Sequence, residues 1–160
     1  MTQVQILFLL CLSAVGAGVL FWKKSRSARS ELHRKQAISE FANQRAGLAN
    51  LFLSVARTSG KPRGLHWKNC ELSGDPVFAG DPITNELFAL LGATISFEAI
   101  AGGGMEEVEA VGNLRFATAI FVFRDRIWTT DGRVVFNLDP VQTLERFAQS
   151  LARVEQNSAE

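Results

Sequence analysis

The segment ELFALLGATISFEAI, residues 86–100, decides the fold. Leu87, Ala89, Leu91, Ala93, Ile95, Phe97 and Ala99 alternate with Phe88, Leu90, Gly92, Thr94, Ser96 and Glu98. That alternation belongs to a β-strand with one wholly apolar face. The opposite face is apolar at its start and polar at its end, which predicts that its cover stops partway along the strand.

Working outward, GLHWKNCEL (64–72) reads as a preceding strand. It is followed by a turn-rich stretch, SGDPVFAGDPITN (73–85), in which two Asp-Pro pairs bracket Val77, Phe78 and Ala79. Beyond the central strand, Gly102, Gly103 and Gly104 permit a turn, and MEEVEAV (105–111) is expected to return as a strand, with a short helix as the rival reading. Gly112-Asn113 suggests a bulge or turn. RFATAIFVFR (115–124) is strongly strand-like, and its continuous apolar run at 116–123 implies cover on both faces. Asp125 marks a tight turn, and IWTT and RVVF flank Asp131-Gly132, which predicts a two-residue hairpin.

DPVQTLERFAQSLARV (139–154) closes the pattern as a helix. Asp139 is the N-cap, Pro140 fits the first helical position and Gln142 completes a capping box. Leu144, Phe147, Leu151 and Val154 form its apolar stripe. The fold class is therefore α+β: an antiparallel, meander-like sheet of five to six strands with a C-terminal helix packed on it.

Ahead of this domain, residues 4–22 (VQILFLLCLSAVGAGVLFW) carry no charge. A helix of that length covers about 28 Å, enough to cross the hydrocarbon layer. Trp22 suits the headgroup level. A cleaved signal peptide would want a basic start, a shorter apolar core and small residues at its end, and none is present. Cys11 follows Leu9 and Leu10, unlike a lipidation site. Lys23, Lys24, Arg26 and Arg29 follow the span at once, so the positive-inside bias places the N-terminus outside and the remainder in the cytoplasm, with these four residues on anionic headgroups. Ser13 with Ala17, and Ala14 with Gly18, are small residues four apart that would let two spans approach closely.

A basic amphipathic helix is expected over about 30–58, with Ile38, Phe41, Leu48, Leu51, Phe52 and Val55 on one side and Arg45 in the same seam. The stripe is short for an independent coiled coil. Packing against the following domain is the first reading and a dimeric stalk the second. Seventeen Lys and Arg against sixteen Asp and Glu hide a division: residues 23–63 carry ten basic and two acidic groups, residues 64–160 seven and fourteen. No aromatic interleaving or zinc ligand set accompanies the basic residues, so nucleic acid is not an expected partner.

Little points to catalysis. His33 sits beside Arg34 and Lys35 on a solvated helix. His66 and Cys70, four apart in one strand, would share a face yet lie about 13 Å apart, beyond hydrogen-bond reach. Glu98, Glu106, Glu107 and Glu109 lack the fixed spacing of a calcium loop. The glycine triplet has no phosphate-binding Lys after it. Neither a cofactor nor a metal is expected. The chain thus reads as an anchor (1–23), a basic linker and helix (24–63), a small acidic domain (64–156) and a tail (157–160). Its expected role is a membrane-anchored interaction or assembly module for an unknown protein partner or a second copy. The alternative is a small apolar-ligand or lipid-binding domain with a cavity between sheet and helix.

Overall fold

The structure, a computed structural model, describes residues 31–58 and 64–155. The span 4–22, its small residues Ser13, Ala14, Ala17 and Gly18, the basic residues Lys23, Lys24, Arg26 and Arg29, and the tail 157–160 lie outside the described residues. Among the described residues no helix is long and apolar enough to cross a membrane. The chain divides into two compact units, Met1–Gln36 and Ala37–Glu160. The described residues of the first, 31–36, are helical. The second is α+β with a six-stranded antiparallel sheet.

Helix α1 runs over 31–58. The strands are β1 (Leu65–Gly80), β2 (Leu87–Ala99), β3 (Arg115–Arg124), β4 (Ile127–Thr129), β5 (Val134–Phe136) and β6 (Ala152–Arg153), with the short helix α2 at Pro140–Arg146. Their order is β4-β3-β2-β1-β6, and β5 also pairs with β3. β2 lies where its alternation predicts. Ala89, Leu91, Ala93 and Ile95 are fully buried with Ala117, Ala119 and Phe121 of β3 under α1. Helix α1 contributes Ala37, Phe41, Leu48, Phe52 and Ala56, spaced four or seven residues apart, which turns one face to the sheet. Phe41 meets Phe78, Phe121 and Trp128 edge-on, with centroids 5.6, 5.8 and 4.9 Å away. On the other face Leu90 and Ala79 are buried against Leu144 of α2, with Leu151 packed alongside, and that cover ends where the strand turns polar.

Four local expectations are corrected. The turn-rich stretch at 73–85 does not end β1. Gly74, Asp75 and Pro76 form a bulge between the pairs Ser73↔Gly92 and Val77↔Leu90, and the strand resumes as Val77, Phe78 and Ala79. Gly74 takes φ +73, and Pro76 sits where no ladder N–H is required. The loop proper is shorter: the Asp81 carboxylate accepts from the backbone N–H groups of Ile83 and Thr84 at 2.7 and 3.1 Å.

Asp131-Gly132 is not a hairpin turn. β4 and β5 both pair with β3, one after the other on the same side, and residues 130–133 bulge between them. The Thr130 hydroxyl donates to the Ile120 carbonyl at 2.7 Å and accepts from the Gly132 N–H at 3.0 Å, so a side chain replaces ladder bonds there. The tight turn at Asp125 is present, with Asp125 and Arg126 both at positive φ.

The closing helix starts as read, with both halves of the Asp139–Gln142 capping box made. It stops at Arg146. Ala152 and Arg153 then pair with Gly80 and Ala79, giving β1 a sixth strand as neighbour, and Phe147 is left 40% exposed instead of joining the stripe. The fourth correction, at residues 105–111, concerns the candidate site.

Candidate functional site

The antiparallel register brings the start of β1, the end of β2, the start of β3 and the end of β5 to one end of the sheet: Leu65 faces Ala99, Ile95 faces Arg115 and Ala117 faces Phe136. The connection from β2 to β3 folds back over this end. Its base is a backbone-to-backbone contact. The Ile100 N–H donates to the Gly64 carbonyl at 2.9 Å, and a Cβ added to Gly64, at φ +75, would lie 2.5 Å from the Gly103 oxygen. The Glu106 carboxylate accepts from the Gly102 N–H. Backbone donors, Glu106's own N–H first and that of Gly102 next, hold this carboxyl below its ordinary range.

Residues 105–111 form no strand. Val108 N–H donates to Met105 O at 3.2 Å and Val111 N–H to Val108 O at 3.0 Å, and a 3₁₀ turn closes the segment at Glu109–Gly112. Met105, Val108 and Val111 recur every third residue, the period of such turns, and strand alternation would have scattered them. All three line a cleft of about 320 Å³ together with Leu65, Phe97, Ala110, Arg115, Phe136 and Asn137.

An aromatic succession links the cleft to the core. Phe52 stands 6.1 Å from Trp67, Trp67 4.9 Å from Phe97, and Phe97 6.4 Å from Phe136, by ring centroids. Phe52 is fully buried, whereas Phe136 is 43% and Val108 41% exposed. The apolar layer under α1 thus emerges at the surface here. Two polar side chains border it. Arg115 donates from Nη2 to the Ala110 carbonyl at 3.3 Å and makes no ion pair among the described residues. Asn137 adopts φ 60, and its N–H donates to the Phe116 carbonyl at 3.0 Å.

No family model, curated protein or solved structure matches the chain. The chemistry of the cleft rests on its own residues. They offer a hydrophobic concavity with one cation and one amide at its border, and no nucleophile or general base.

The residues singled out from sequence are dispersed. His33 is exposed on the described part of the first unit. His66 and Cys70 do not share a face. Lys68 is an extra residue between the pairs Trp67↔Phe97 and Asn69↔Ser96, which shifts the alternation, so Cys70 is buried in the core and His66 exposed. Burial pushes the Cys70 thiol up to about 11, leaving it protonated at neutral pH. Among the described residues no three His, Cys, Asp or Glu side chains group as metal ligands.

Arg45 and Arg57, counted with the basic segment, have a structural task. β1 is the outermost strand except where β6 covers Ala79 and Gly80. Arg57 donates to the carbonyls of Trp67 and Lys68 at 2.9 and 3.0 Å, and Arg45 to that of Leu72 at 3.1 Å. The helix thereby closes part of the open strand edge, beside each of the two bulges. Between this edge and α1 runs a groove of about 540 Å³ lined by residues that include Ala42, Ala46, Ala49, Asn69 and Glu71. The cleft itself escaped the sequence reading because four strand ends and one loop build it. The spacing of Met105, Val108 and Val111 was its one local signal.

Proposed function

We propose that the chain is a single-pass, membrane-anchored interaction module. Residues 4–22 span the bilayer, with Ser13, Ala14, Ala17 and Gly18 as the surface for any pairing of spans. Lys23, Lys24, Arg26 and Arg29 contact anionic headgroups. The N-terminus lies outside, and the α+β domain acts at the cytoplasmic face. There it docks an apolar segment of a protein partner in the cleft bordered by Val108 and Phe136. Uncharged length and the following basic cluster support the anchor and its orientation. One observation carries the docking role: half-exposed apolar side chains border a concavity at one end of the sheet. The rival cavity between sheet and helix has less support, because Phe41, Phe52 and Phe121 occupy that interface at 0–1% exposure.

The test is photo-crosslinking of the full chain in native membranes, from a reactive side chain placed at Phe136 or Val108 and, as control, at Ile127, which is 59% exposed and lies outside the cleft. Discrete protein adducts from the first two positions and not the third are expected. Absence of adducts at the cleft positions overturns the reading. Orientation is read separately by labelling Ile83→Cys, since Ile83 is 90% exposed at the β1–β2 loop. Reaction with an impermeant thiol reagent in intact cells would place the domain outside.

A further inference from the structure

Resting on the docking role proposed above, we infer that the cleft takes the carboxyl end of a polypeptide, with an apolar terminal side chain inside and the free carboxylate on Arg115 and Asn137. The residues of the second unit include fifteen acidic and eleven basic ones, so an anion meets net repulsion from this unit. Among the residues that line the cleft the balance is opposite, with Glu106, Glu107 and Glu109 in the covering loop but outside that lining. Among the described residues, Arg115 is the one basic residue lining the cleft, and no carboxylate lines it. Arg115 is exposed, and among the described residues one of its five N–H donors has a protein acceptor, the Ala110 carbonyl at 3.3 Å. That bond fixes one arm of the guanidinium and leaves the others to form a paired contact with a carboxylate. Asn137, on the same lining, makes no side-chain hydrogen bond among the described residues and adds an amide donor.

The apolar part is matched in size and openness. About 320 Å³ lies at the lower end of volumes that hold small ligands, and the half-exposed walls at Val108 and Phe136 leave it open to solvent. One anchoring side chain with its backbone continuing into solvent suits that shape. A free fatty chain needs most of its surface enclosed, and this cleft does not enclose it. A carboxylate directly beside an apolar anchor is the feature that distinguishes a chain terminus from an internal hydrophobic segment.

The experiment measures binding to the full chain in lipid nanodiscs by anisotropy of N-terminally labelled GSGSLF hexapeptides, one ending in a free carboxylate and one in an amide. The acid peptide should bind at least about tenfold more tightly than the amide, the scale of a charge-assisted pair. Arg115→Gln should reduce the acid to the level of the amide while leaving the amide unchanged. Equal binding of acid and amide, binding of neither, or no effect of Arg115→Gln overturns the inference. So does displacement of the acid peptide by decanoate at lower concentration than by unlabelled peptide, which would assign the cleft to a fatty acid. Where acid and amide bind alike but crosslinks from Phe136 persist in membranes, carboxylate recognition falls and the docking role stands. Where the crosslinks are also absent, both fall.

Discussion

The indole Nε1 of Trp128 donates a 2.8 Å hydrogen bond to the backbone carbonyl of Ala37, ninety-one positions earlier in the chain. This bond ties β4 to helix α1 inside the core, where the Trp128 ring also packs against Phe41, Phe78 and Phe123. Trp128→Phe keeps most of the ring packing and removes the donor. The Ala37 carbonyl retains its place in the helical ladder, so the loss should be about 1 kcal/mol, against about 3–5 kcal/mol for Trp128→Ala. Denaturant midpoints of the two variants check the order. No loss in Trp128→Phe would show that the hydrogen bond contributes nothing beyond packing, and equal losses in the two variants would show that the ring packing adds nothing beyond the hydrogen bond.

Arg45 and Arg57 satisfy carbonyls along the β1 edge, so their removal should act on that edge before it acts on membrane contact. The double variant Arg45→Gln, Arg57→Gln leaves the carbonyls of Trp67, Lys68 and Leu72 to solvent. Faster amide exchange along residues 66–73 and increased self-association through the opened edge are expected. Exchange mass spectrometry and sedimentation of detergent-solubilised protein report both. Unchanged exchange would assign the two arginines to the surface alone.

The elements that were legible from sequence are those whose information is local. β2 and β3 announce themselves by alternation and by an apolar run, α1 by its stripe from Phe41 to Phe52, and α2 by the Asp139–Gln142 box. The bulges at Lys68, at residues 74–76 and at 130–133 were not legible, because an inserted residue is defined only against the strand opposite. Those at 74–76 and 130–133 lie where turn chemistry, Gly74-Asp75-Pro76 or Asp131-Gly132, bends a strand without ending it. The cleft inherits both difficulties. Phe97 was visible on the apolar face of its strand, but its neighbour Phe136 arrives through the bulge at 130–133 and its cover through turns of period three.

Two glycines should respond oppositely to the same change. Gly47 lies within α1 with nothing inside 4 Å of an added Cβ, and Gly47→Ala should stabilise the domain by about 0.5–1 kcal/mol through helix propensity. Gly64 is at φ +75, with an added Cβ 2.5 Å from the Gly103 oxygen and 2.9 Å from the Met105 Cγ. Gly64→Ala should cost more than the roughly 1–2 kcal/mol of its backbone conformation alone and should loosen the loop over the cleft. Thermal midpoints measure the first effect, and amide exchange at residues 100–111 the second. A neutral Gly64→Ala would remove the backbone contact as the anchor of that loop.

Acid and alkali should weaken the domain through different residues. The backbone N–H groups of Thr84 and Ile83 hold the Asp81 carboxyl below its ordinary value of 3.8. Its contribution is present above that value and disappears as pH falls toward the lowered folded value. Asp81→Asn should flatten the acid limb of the stability curve. Cys70 has the opposite sign. Burial favours its neutral thiol and moves the folded value from 9.0 to about 11, so an unfolded chain loses this proton first. The stability that the protonated thiol provides is complete below pH 9 and is lost as pH rises from 9 toward 11. Denaturation midpoints collected across that interval should fall for the native chain and fall less steeply for Cys70→Ala, even though the variant is weaker throughout because it leaves a small void beside Ile95 and Leu72. Parallel curves would mean that the thiol titrates alike in the folded and unfolded chains, and that burial of Cys70 in β1 does not exclude water from it.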